Sequence, residues 1–125
     1  MSLTIEINTT ARTVYSKFTG AINESEVYAV VPHLAQRSDF DPTFSHIIDF
    51  SAVTTANVST NFIRFLAQEK PLFHRDARQI VVAPQAHMFA LARMAQILRE
   101  RQLPNIQVVR SVHEACAVLG IERLG

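Results

Sequence analysis

The chain has a single cysteine, Cys116, and only three glycines. One cysteine excludes an internal disulfide and any metal site that needs several thiolates. Three scattered glycines cannot build a phosphate-cradling loop, and the G-x-G-x-x-G, G-x-x-x-x-G-K-[ST] and G-x-S-x-G motifs are all missing. We therefore expect no nucleotide cofactor and no α/β-hydrolase chemistry.

The chain also lacks an excess of charge and a long apolar run. Twelve Lys and Arg against eleven Asp and Glu leave a net charge of +1, whereas nucleic acid and anionic membranes attract clustered positive charge. No apolar run approaches the roughly 20 residues that a membrane helix needs, and no basic region followed by an apolar core marks a signal peptide. We expect a cytoplasmic protein that neither enters a membrane nor binds nucleic acid.

The 125 residues have the length of one domain, spanning 1–125. Period-two alternation and short β-branched runs indicate strands, whereas caps and helical spacing indicate helices. The predicted strands are 3–7, 12–18, 46–50, 78–84 and 106–110, and the predicted helices are 23–37, 59–70, 84–102 and 111–120. Gly20 should end the second strand, and Pro32 should kink or end the first helix near Val31.

This element order, β-β-α-β-α-β-α-β-α, predicts the fold class. Strands that alternate with helices form parallel sheets through right-handed crossovers, and the first two strands suit an antiparallel hairpin. The sequence thus predicts an α/β fold, with a single mixed, mainly parallel five-stranded sheet and four helices.

Catalytic residues are not evident. The five histidines are far apart in the sequence and form no H-E-x-x-H or H-x-x-x-H pair, so no metal site is expected. Cys116 lies among small apolar residues on a predicted helix, a setting in which cysteine is usually a buried hydrophobe. We expect a protein that is not an enzyme.

Asp49 lies at the carboxyl end of the predicted apolar strand 46–50, where parallel sheets commonly place functional groups. Its carboxylate is a candidate base or ligand contact. The alternative is that it accepts hydrogen bonds from the amides of a following turn, as aspartate often does.

The predicted helix 84–102 is apolar around nearly all of its circumference. Met88, Leu91, Ala95 and Leu98 form one core-facing stripe, whereas Phe89, Met94 and Ile97 spread over the rest. A helix of this kind is either deeply buried or contacts a partner. The second alternative makes these three residues a candidate homodimer interface.

Three stretches resemble STAS domains, the anti-sigma factor antagonist-like fold that is also found in sulfate transporters. These are "FTGAINESE", "IIDFSAVTTANVST" and "VVRSVHEACAVLG", and together they span most of the chain. The C-terminal half resembles bacterial STAS-like proteins other than the sigma-factor regulators. The resemblance implies a STAS-like fold and a regulatory role through an unidentified protein partner.

In the regulators of that family a kinase phosphorylates a serine of the signature loop, and spacing from Asp49 matches it to Ser59. Here Asn57 and Val58 stand where the family has an acid and a serine, and Thr60 stands where it has glycine. Ser59, with Asp49, Asn57 and Thr60 nearby, is therefore the candidate phosphorylation or partner site. The alternative is that Ser59 or Asn57 only caps the following helix.

Two functions remain open from the sequence. The first is a non-enzymatic regulatory or protein-interaction module that uses the surface around 49–59. The second is a small-molecule or lipid-binding domain with an apolar pocket lined by residues such as Phe62, Phe65, Phe73 and Phe89, which would otherwise be ordinary core residues. A packed interior with Ser59 exposed would favour the first, and an apolar cavity of some hundreds of Å³ the second.

Overall fold

The computed structural model of the chain describes residues 2–122 and contains one five-stranded sheet in the order β1-β2-β3-β4-β5. The first two strands are antiparallel, and all later neighbours are parallel. The strands are β1 (Leu3–Asn8), β2 (Thr13–Asn23), β3 (Ser45–Asn57), β4 (Gln79–Val82) and β5 (Ile106–Val109). The predicted α/β class with a mixed, mainly parallel five-stranded sheet is confirmed.

Four helical regions connect or follow the strands, and the first of them is broken into two short helices. The helices are α1 (Glu24–Tyr28), α2 (Val30–Ala35), α3 (Thr60–Gln68), α4 (Ala86–Leu98) and α5 (Val112–Leu119). The predicted helix 23–37 thus corresponds to α1 and α2 together. No helix within 2–122 is long and apolar enough to cross a membrane.

The break in the first helical region lies at Ala29, two residues before the predicted position near Val31. Pro32 explains the difference. A proline ring clashes with the carbonyl four residues earlier, here that of Tyr28, the last residue of α1. Pro32 itself lies in the first turn of α2, where a missing N–H costs little.

β2 and β3 both extend further than the sequence predicts. Gly20 does not end β2: it lies within the strand at a φ of 75°, beside a register shift that bends the pairing with β3. Because β2 continues to Asn23, β3 keeps a hydrogen-bonding neighbour as far as Asn57. The predicted turn after Asp49 is therefore wrong, since that residue lies within a 13-residue strand.

Beyond Asp49, β3 pairs with β2 alone, because β4 ends opposite Asp49 at Val82. The chain leaves β4 there to begin α4. The side-chain amide of Gln85 then donates hydrogen bonds to the backbone carbonyls of Phe50 at 3.3 Å and Val53 at 2.9 Å. These bonds cover part of the edge of β3 that no strand occupies.

The helices lie on both faces of the sheet, and each face has its own apolar cluster. On the first face, residues from α2, α3 and α4 pack against Phe18 and Phe50, whose rings stack with their centroids 5.0 Å apart. On the second face, α5 packs against Ile47, Ile80 and Val82. Since the first face carries most of the helices, it has the larger interior.

Several predicted helix ends are confirmed. The side chain of Asn23 accepts from the Glu26 amide at the start of α1, and Ser111 does the same for the Glu114 amide at the start of α5. Gly120 ends α5 in the left-handed conformation, with a φ of 70°. Cys116 is buried as predicted, and burial raises the pKa of its thiol.

Candidate functional site

A cavity of about 380 Å³ lies on the first face of the sheet, beneath α2, α3 and α4. Its floor is formed by strand side chains that include Phe18, Ile48 and Val81, and its walls by helix residues that include Leu34, Ile63 and Leu91. Nearly all of this lining is apolar. The cavity exists because α3 and α4 contact each other above the sheet without filling the space next to α2.

Two buried polar side chains, those of His46 and Gln79, interrupt the apolar lining on the sheet side. They are register partners at the beginning of β3 and β4. The His46 imidazole stacks on Phe73 with the centroids 4.7 Å apart, and its Nε2 lies 2.8 Å from the Ser16 hydroxyl. The ring is therefore held in one orientation.

Burial lowers the pKa of His46 to about 4, which the neighbouring Gln79 side chain opposes only in part. His46 is consequently uncharged at neutral pH. Within residues 2–122, no hydrogen-bond partner lies within reach of Gln79 Nε2, although the residue is only 5% exposed. The sheet side of the cavity thus carries an unused donor and no formal charge.

The cavity reaches the surface between α1, α2 and the end of α3, because two of its lining residues, Tyr28 and Val31, are exposed. The Tyr28 hydroxyl donates to Glu69 Oε1 at 3.0 Å, and this bond raises the pKa of the phenol. The ring of Tyr28 also contacts that of Phe65, with the centroids 5.9 Å apart. These contacts join α1 to α3 across the opening.

Charged groups at the cavity are confined to the ends of helices. Arg99, just after α4, donates to the carbonyl oxygens of Leu66 and Glu69 and so caps the end of α3. Its partial burial lowers the pKa of the guanidinium. Lys70 follows in the exposed connection. The guanidinium therefore has a structural role in fixing α3 to α4.

Ser59 is the N-cap of α3, and its hydroxyl oxygen accepts from the Phe62 amide at 3.1 Å. Its hydroxyl and its backbone N–H both donate to Glu24 Oε2 at 2.8 Å, which ties the start of α3 to the start of α1. Asn57 ends β3 and does not cap the helix, and Thr60 is the exposed first residue of α3. Ser59 is itself exposed.

Asp49 is not at the end of a strand and does not lie near Ser59. Its side chain is only 1% exposed and lies on the second face of the sheet, where it accepts hydrogen bonds from the Tyr15 hydroxyl and the Ser51 amide. Burial and the bond to Asp49 raise the pKa of Tyr15 strongly. Asn57 lies eight residues further along the same strand than Asp49, and at a rise of about 3.3 Å per residue the two are roughly 26 Å apart.

The three residues of the candidate dimer interface differ in exposure. The ring of Phe89 is half-buried and is covered by the Arg110 guanidinium, 4.1 Å from its centroid. Met94 is half-buried and packs against the core. Ile97 is 64% exposed, and its neighbour Leu98, predicted to face the core, is 45% exposed. The apolar surface of α4 is therefore concentrated at its last turn.

The sequence predicted only one of the phenylalanines that line the cavity. Phe73 lines the cavity, whereas Phe62, Phe65 and Phe89 do not, and Phe18 and Phe50 take their place. His46 and Gln79 were not singled out for the pocket. Each of them directly precedes a short apolar run, 47–48 in β3 and 80–82 in β4, and this polar residue beside a buried run is the signal that the sequence offers.

Within 2–122, no three His, Cys, Asp or Glu side chains come together in a way that could hold a metal ion. A comparison with protein-family models finds no match, and a comparison with curated proteins finds none either.

Proposed function

We propose that this chain is a non-enzymatic binding module whose cavity takes up a small, largely apolar molecule. The cavity volume of about 380 Å³ carries the proposal. Small-molecule sites typically measure about 300–1,000 Å³ and are mostly apolar with a few placed polar groups. Here His46 and Gln79 are those polar groups.

An empty cavity of this size would be costly. Protein interiors are close-packed, with few voids larger than a water molecule. The space of 380 Å³ opens to the surface beside Tyr28 and Val31, so its apolar lining is left against water when no ligand is bound. Water is poorly held by an apolar lining. An apolar ligand removes that contact with water.

Fluorescence titration with N-phenylnaphthylamine tests the proposal, because this probe becomes bright in apolar surroundings. We expect saturable binding by the unmodified chain and weaker binding by Ala92→Leu, which fills part of the cavity from α4. Ala90→Leu is the matched control, since it makes the same change on an exposed position of that helix. No saturable binding by the unmodified chain, or equal binding by both variants, would contradict the proposal.

A second candidate is a STAS-like regulatory module that binds a protein partner around Ser59. The observation that favours it is the exposed hydroxyl at the start of α3, where free amides and the helix dipole favour an added negative charge. Mass spectrometry of the protein isolated from its native cells tests this candidate. Absence of phosphate on Ser59 across growth phases would rule out a phosphorylation switch.

A further inference from the structure

The side chain of Gln79 contains a buried hydrogen-bond donor that nothing in the fold uses. It is the first residue of β4, fixed between His46 of β3 and Ile106 of β5 by backbone pairing. Its side chain lines the cavity, and across the described part of the chain its Nε2 has no acceptor. Buried donors in native proteins are nearly always bonded, so an unbonded one indicates a missing partner.

We propose that the ligand of this cavity carries a neutral acceptor oxygen, a carbonyl or a hydroxyl, which binds Gln79 Nε2. The inference rests on the proposed function, since it names the polar group of the molecule that the cavity takes up. The remaining lining near Gln79 is apolar or aromatic, with Phe73, Val81 and Ile106 close by in the fold. The part of the ligand next to that oxygen is therefore hydrocarbon.

An ionised oxygen does not suit this end of the cavity. His46 is uncharged and is already oriented by Ser16, so the imidazole offers no countercharge. The guanidinium of Arg99 is bonded to the end of α3. Burying a carboxylate without a paired charge is far more costly than burying a neutral oxygen. The selected class is thus a ketone, ester or alcohol rather than an ionised acid.

The size of the cavity bounds the ligand. At about 30 Å³ for each water-sized group, the 380 Å³ accommodates roughly a dozen such groups. Benzophenone and its isostere, the diphenylethylene with both phenyl groups on the same carbon, are of this order of size. They have the same shape, but only benzophenone carries an acceptor oxygen.

Affinities of both probes, measured by displacement of N-phenylnaphthylamine, test the inference in the unmodified chain and in Gln79→Met. We expect the preference for benzophenone over diphenylethylene to fall by roughly 5- to 100-fold in the variant, the loss expected when one buried hydrogen bond is removed. Comparing the ratio of affinities cancels the different hydration of the two probes. It also cancels a general change in the cavity.

A second measurement does not depend on the folding of the variant. The infrared carbonyl stretch of benzophenone bound to the unmodified chain should move to lower frequency than in an alkane solvent, as a hydrogen-bonded carbonyl does. An unchanged affinity ratio, or a stretch at the alkane frequency, overturns the inference while leaving the proposed function in place. If N-phenylnaphthylamine binds and benzophenone does not, the inference also fails. If no probe binds, the proposed function fails and this inference with it.

Discussion

Filling the cavity should make the fold more stable, and Ala92→Leu tests this on thermodynamic grounds. Ala92 is a buried residue of α4 and lines the cavity. The substitution adds about three methylene equivalents at about 0.8 kcal/mol each, so the free energy of unfolding should rise by up to about 2 kcal/mol. For a domain of this size that is on the order of 8 °C in Tm.

Urea denaturation followed by circular dichroism measures the change, with the m-value checked for constancy. The control, Ala90→Leu, should stay within about 0.5 kcal/mol of the unmodified chain, because Ala90 is exposed. In a core that is already densely packed, the larger side chain would instead cost about 1–3 kcal/mol. A loss of that size in Ala92→Leu, with the control unchanged, would refute the existence of the cavity.

Four further predictions concern the other side chains described above. Ser59→Ala should lower the free energy of unfolding by about 1 kcal/mol because it removes the N-cap of α3. Ser59→Asn should lower it less, since asparagine also caps helices. Equal stability of the two variants in urea would contradict this role of Ser59. The pKa of His46 is about 4 in the folded chain and 6.5 in a free side chain. As the pH falls from 6.5 towards 4, only the unfolded chain takes up this proton, so protonation favours unfolding. The free energy of unfolding should therefore drop by about 3 kcal/mol across that window. Denaturation at a series of pH values should show this drop in the unmodified chain and its absence in His46→Gln. Tyr15→Phe should cost about 1.5–3 kcal/mol in urea, because it removes a hydrogen bond from the buried carboxylate of Asp49; a change below 0.5 kcal/mol would be inconsistent with that bond. The dimer hypothesis predicts a mass of twice 14.0 kDa by light scattering and a monomer for Ile97→Glu, and an unmodified chain that is monomeric at high concentration would rule it out.

The features that the sequence predicted well depend on neighbours in the chain. Asn23, Ser111 and Gly120 each act on backbone groups within a few residues, so local spacing is enough to recognise them. The strand–helix order likewise follows from periodicities read within single elements. Those local signals account for the fold class.

The features that were predicted wrongly depend on distant pairing. A glycine at position 20 is locally typical of the end of a strand, yet β2 continues to Asn23 because β3 pairs with it. For the same reason β3 continues beyond Asp49. The cavity is also non-local, since it is the space that remains when helices from three crossovers settle on one sheet. His46 and Gln79 acquire their significance only there, where burial turns two ordinary polar side chains into the polar groups of a site.

The uncovered edge of β3 has a consequence for how the chain behaves at high concentration. A strand edge with free backbone groups is a template on which another chain can add a strand, and this is a common start of aggregation. Gln85 occupies the carbonyls of Phe50 and Val53 with a side-chain amide, a group of the same chemistry as the backbone N–H of an incoming strand. Gln85 thus occupies part of the edge at which a longer β4 would pair, and at these two carbonyls it protects the sheet against edge-to-edge association.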